Sequence, residues 1–168
     1  MQRLPHRLLA TLLAIAFAPL NSFAISKPHG SLEKQPMNQK TMEDLIRRVA
    51  ENVEGETGAL RFTYDGVALA CVSDVQHDRM RLIAPIASAD ELTQEQWRRM
   101  LDANCHTALD ARYATSDGVL YSAFIHPLSP LTAEQLNSAL HQVAMLAKTF
   151  GSSYTSGTLS YGEAGTEL

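Results

Sequence analysis

The sequence predicts an α+β domain, an antiparallel sheet covered by helices, on three observations. Two Asp-Gly pairs, Asp65-Gly66 and Asp117-Gly118, each join two strand-like runs, the signature of a tight hairpin. Three other segments carry apolar residues at three- and four-residue steps, the period of a helix. Connections within each group of strands are short, so neighbouring strands run antiparallel.

The predicted order is helix, three strands, helix, two strands, helix. The first helix starts at Thr41, whose hydroxyl can cap free amides, with Glu43 and Asp44 at the positive end of the dipole. Met42, Leu45, Ile46, Val49 and Val53 share one face, and Gly55 and Gly58 close the helix. "ALRFTY" then turns at Asp65-Gly66 into "VALACVSD", and "VQHD" turns into "RMRLIAPIA". In that third strand Met80, Leu82 and Ala84 point one way, and Arg79, Arg81 and Ile83 the other. The second helix covers roughly Thr93 to Asn104, with Thr93 and Gln96 spaced for a capping box. "ALDARYAT" and "GVLYSAFIH" form the second hairpin, and Pro127 and Pro130 stop it, because proline cannot donate to a ladder. Thr132 and Gln135 open the last helix as a second capping box. Leu136, Leu140, Val143, Met145, Leu146 and Phe150 form its broad apolar face, and Gly151 ends it.

The domain spans residues 41–151. Residues 1–24 read as a signal peptide: Arg3 and Arg7 precede an apolar run, and Ser22-Phe23-Ala24 offers a small-x-small cleavage site. The run is shorter than the ~20 residues that a membrane span needs. No cysteine follows it, so no lipoprotein anchor is expected. Residues 25–40 read as a flexible leader containing Pro28, Gly30 and Pro36. Residues 152–168, rich in Ser, Thr and Gly, read as a disordered tail. The expected location is periplasmic or secreted.

Removing residues 1–24 takes away Arg3 and Arg7 and no acidic residue, so the net charge of −4 becomes −6. An acidic surface repels nucleic-acid phosphates and anionic lipid, so neither is an expected partner once the signal peptide is gone. The two remaining cysteines, Cys71 and Cys105, form either a disulfide, which an exported protein can keep, or two buried thiols. His29, His77, His106, His126 and His141 are scattered, without zinc-site spacing, so no metal or other cofactor is expected. The adjacent Cys105-His106, with Asp110, is the one arrangement that suggests a small hydrolase or redox enzyme. Neighbours in sequence need not form an activated pair, so a non-catalytic role is preferred, with a structural or regulatory partner-binding domain as its alternative.

The order of elements, with the stretches "DGVALACVSD", "APIA", "MLDAN" and "DGVLYSAFIHPLSPLT", resembles the class I type III secretion chaperones. These are the Tir-chaperone (CesT-like) family and its YbjN-like relatives. The resemblance covers about residues 41–151. It implies a homodimer that holds an extended segment of a client polypeptide on apolar surface. Carried over, it makes Trp97, Met100 and Leu101 of the second helix dimer candidates. Leu69, Ile83, Ile86, Tyr121 and Phe124 of the strands become client-binding candidates. Members of that family act in the cytoplasm, whereas the N-terminus here points to export; the expectation is therefore a chaperone-like fold reused in the periplasm, outside the family's conventional secretion role.

Overall fold

In the computed structural model, which describes residues 36–160, six strands form one antiparallel sheet and three helices pack against it. The elements are α1 (Gln39–Val49), β1 (Glu51–Glu56), β2 (Ala59–Tyr64), β3 (Val67–Asp74), β4 (Arg79–Ser88), α2 (Gln94–His106), β5 (Arg112–Ser116), β6 (Val119–Pro127) and α3 (Ala133–Lys148). The strand order is β1-β2-β3-β4-β6-β5. Residues 1–35 and 161–168, which include the expected signal peptide, most of the leader and the end of the tail, lie outside the described residues.

The α+β class holds, with one strand more than the sequence suggested. β1 replaces the end of the expected first helix: the Ala50 N–H closes α1 on the Ile46 carbonyl, and Val53 stands on a strand. Its residues, "ENVEGE", carry no alternating apolar signal because this is an edge strand with its carboxylates in water. Gly55 sits at φ +106°, and a Cβ there would come 2.2 Å from the Ala59 carbonyl oxygen, so the crossing into β2 requires glycine. The helix also begins earlier than Thr41. Asn38 is the cap, its Oδ1 accepting from the Thr41 N–H at 2.9 Å, and the buried Met37 precedes it.

Both Asp-Gly turns are as expected. Asp65 and Gly66 (φ +49° and +73°), and Asp117 and Gly118 (φ +51° and +75°), take the paired left-handed conformations of the favoured hairpin turn. Both capping boxes form, Thr93 with Gln96 and Thr132 with Gln135. The core lies between the sheet and the helices. Leu136, Leu140, Val143 and Leu146 of α3, with Met42 and Ile46 of α1, are fully buried, as are Met80, Leu82, Ala84 and Leu120 of the central strands.

The expected disordered tail is a correction for residues 152–160. Tyr154 is buried at 3% exposure, its ring edge-on to Tyr113 and Phe150, with the Arg99 guanidinium 4.7 Å above it. The Ser156 hydroxyl donates to the Ala108 carbonyl at 2.6 Å, and Thr149 and Thr107 donate to the Thr155 and Tyr154 carbonyls, each at 2.7 Å. The Ser/Thr content that reads as chain freedom here satisfies backbone carbonyls instead.

Candidate partner-binding surface

Alternation along the strands gives the sheet two faces. The face just described is covered. On the other, β3 presents Ala68, Ala70 and Val72, β4 presents Arg79, Arg81, Ile83 and Pro85, and β6 presents Tyr121, Ala123 and Ile125. Cross-strand registers set these in rows. Ala70, Ile83, Ala123 and Arg112 stand abreast, as do Ala59, Val72, Arg81 and Ile125. No described helix covers this face: Val72 is 46% exposed and Ile125 59%. A trough of ≈ 720 Å³ runs over it, floored by Ala68, Ala70, Val72, Ile83, Pro85 and Tyr121 and rimmed by Glu54, Glu56 and Arg61. The volume lies within the ≈ 300–1,000 Å³ range of ligand sites, and the mixed lining suits apolar side chains held by a few polar contacts.

The expected client-binding residues divide between the faces. Ile83 and Tyr121 are half-buried and line the trough. Leu69 and Phe124 are corrected to core, at 3% and 6% exposure, because they lie on the helix side of β3 and β6. Ile86 also packs against the core, after a bulge between Pro85 and Ala87 that shifts the register of β4. Sequence reasoning passed over Val72 and Ile125. Each is an apolar residue out of step with its strand's buried set, a signal that the period-2 pattern does carry.

The dimer candidates divide in the same way. Met100 is corrected to core at 2% exposure, whereas Trp97 (37%) and Leu101 (66%), four residues apart, share the outward side of α2. Cys105 continues that stripe and is exposed. Neither sequence reading of the cysteines survives: both are free, with Cys71 buried in β3. Burial, reinforced by the nearby Glu43 carboxylate, pushes the Cys71 thiol up to about 12. The Gly58 N–H donates to Glu43 Oε1 at 2.7 Å, tying the β1–β2 turn to α1.

Asp110 lines a second, smaller recess of ≈ 320 Å³ with Arg112, His126 and Gln142, and neither Cys105 nor His106 shares it. The buried Gln142 serves structure there: its Oε1 accepts from the Asp110 and Ala111 N–H groups at 2.9 and 3.1 Å. The His126 ring stacks on Phe124 and its Nδ1 meets the Pro127 carbonyl at 2.7 Å. Among the described residues, no three His, Cys, Asp or Glu side chains group as a metal site, and no helix is long and apolar enough to cross a membrane.

No family model and no curated protein matches the chain. Solved structures do match its fold. The structure of the HopA1–SchA chaperone–effector complex matches at TM-score 0.51 and 14% identity, over 65% of this chain and 88% of that one. The ExsC–ExsE complex matches at 0.50 and 16%, over 66% and 87%. The Yersinia pestis type III secretion chaperone SycH, in complex with a fragment of YscM2, matches at 0.50 and 17%, over 67% and 98%. The fold is therefore that of the type III secretion chaperones, as the sequence resemblance implied.

Proposed function

We infer that this protein is a non-catalytic, chaperone-like module that holds a partner polypeptide on the open face of its sheet. One observation carries the reading: a trough of ≈ 720 Å³ floored by apolar side chains lies on a sheet face that no described helix covers. Matching structures of a chaperone with an effector, and of a chaperone with a fragment of another protein, support it. An extended client segment would lay alternate side chains into the trough, each well-buried one adding ~1.5–3 kcal/mol before the cost of ordering the chain. Trp97 and Leu101 on the outward side of α2 are the proposed dimer contact. The proposed site of action is the periplasm or the cell exterior, on the strength of Arg3, Arg7, the apolar run and Ser22-Phe23-Ala24.

Light scattering tests the reading directly. The protein should suppress aggregation of a reduced, unfolding client at equimolar amounts without nucleotide. Ile83→Asp, which places a charge on the trough floor and leaves the covered face untouched, should abolish that protection while the circular dichroism spectrum is unchanged. Equal protection by Ile83→Asp and the unaltered protein would remove the trough from the mechanism.

A further inference from the structure

The open face carries four arginines, none in an ion pair among the described residues, and three of them have a carboxylate as a cross-strand or recess neighbour. Arg61 stands opposite Glu54, Arg79 stands opposite Asp74, and Arg112 shares the smaller recess with Asp110. Arg81 does not. Its cross-strand neighbours are Val72 on β3 and Ile125 on β6, both apolar. Asp74, opposite Arg79 and diagonal to Arg81, accepts from the Gln76 and His77 N–H groups at 2.9 and 3.1 Å and meets the His77 ring at 2.6 Å, so it forms an ion pair with neither arginine.

This arrangement constrains whatever covers it. Val72 and Ile125 are 46% and 59% exposed, and they flank Arg81 in one row. A partner that buries both side chains must pass over the guanidinium between them. Removing an unpaired cation from water carries a penalty that offsets what burying the two side chains would return. A partner that supplies a carboxylate at that point avoids the cost and gains a charge-assisted hydrogen bond.

Resting on the client-binding reading above, we propose that Arg81 selects the client: the segment bound on this face alternates apolar and acidic residues, with a carboxylate meeting Arg81. Arg81 thus acts as a specificity element, penalising neutral and basic segments that are otherwise equally apolar. Glu54 and Glu56, on the far rim over β1, add to the penalty for a segment that is acidic where it crosses that edge, so the acidic residues belong over β4 and β6.

Three fluorescein-labelled peptides of about twelve residues test this by anisotropy, each with valine at alternate positions and Glu, Ser or Lys between. The Glu peptide should bind at least about tenfold more tightly than the Ser peptide, the Lys peptide most weakly, and the Glu preference should shrink as salt rises. Arg81→Met should bring the Glu and Ser peptides to equal affinity by strengthening the Ser complex. Arg81→Glu should reverse the order of Glu and Lys. Arg81 is exposed, so both variants should fold, as circular dichroism will confirm. Equal binding of all three peptides overturns the selection and leaves the client reading standing; so does a preference for Lys. Binding of none of them removes the client reading itself. If sedimentation shows a dimer that Arg81→Glu dissociates, the face is an interface between two copies and the proposal fails.

Discussion

Leu82 and Ile83 are neighbours in sequence and opposites in place. Leu82 is fully buried under α3, whereas Ile83 is half-exposed on the floor of an open trough. The same contrast runs the length of the sheet. Met80, Leu82, Ala84 and Leu120 lie at 0–1% exposure on one side, and Val72 and Ile125 at 46% and 59% on the other. One face is apolar because folding needs it. The other sets Val72, Ile83 and Ile125 among arginines with nothing described upon it, and it is the face proposed to meet a partner. Apolar character is thus shared, and what separates stability from recognition is the parity of the position on its strand.

Truncation at that pair of neighbours gives the largest expected difference. Leu82→Ala should cost 2–5 kcal/mol, about the usual penalty for emptying a packed core site. Ile83→Ala should cost about 1 kcal/mol or less and weaken client binding instead. Urea unfolding of both variants measures the contrast, with the slope checked for constancy. Equal losses would mean that the trough face is as much core as the helix-covered face.

A second truncation asks where the covered layer stops. Tyr154 closes an aromatic group with Tyr113 and Phe150, centroids 5.6–6.1 Å apart, and carries Arg99 on its ring face. Tyr154→Ala should lose roughly 2–4 kcal/mol, because it removes edge-to-face packing and the cation contact together with buried area. A change under about 0.5 kcal/mol in the same assay would return residues 152–160 to the status of a loose tail.

The parts that were legible in sequence are those set by local chemistry. Asp-Gly turns, Thr–Gln capping boxes and the period of β4 each encode their geometry within a few residues, and each is found where it was expected. The missed parts depend on distant groups. β1 is a strand only because β2 lies beside it, and its charged residues give no alternation to read. The tail is ordered by hydroxyls reaching the Ala108, Tyr154 and Thr155 carbonyls, contacts up to 48 residues apart in the chain. At the candidate site, the residue types were visible but their sides were half confused. Leu69 and Phe124 belong to the core, while Val72 and Ile125, the apolar residues that are free to touch a partner, were passed over.

The two thiols carry the comparison to its finest scale. Cys71 lies on the covered face at 2% exposure, whereas Cys105 is exposed on α2 beyond Leu101. The thiolate is the reactive form, and burial holds the Cys71 thiol at about 12. At pH 8 a maleimide should therefore modify Cys105 within minutes and Cys71 only as fast as the fold opens. Mass spectrometry should count one label on the native protein and two in denaturant. The same shift fixes the sign of an alkaline effect. The unfolded thiol ionises near 9 and the folded one near 12, so between those values the folded state holds the extra proton. The part of the stability that depends on Cys71 is then complete below pH 9. It should decline as pH rises toward 12, by at most about 1.4 kcal/mol per pH unit. Cys71→Ala should remove that slope. Rapid labelling of Cys71 in the native protein would show that the helices cover this face only intermittently, and the division between a face for folding and a face for recognition would weaken with it.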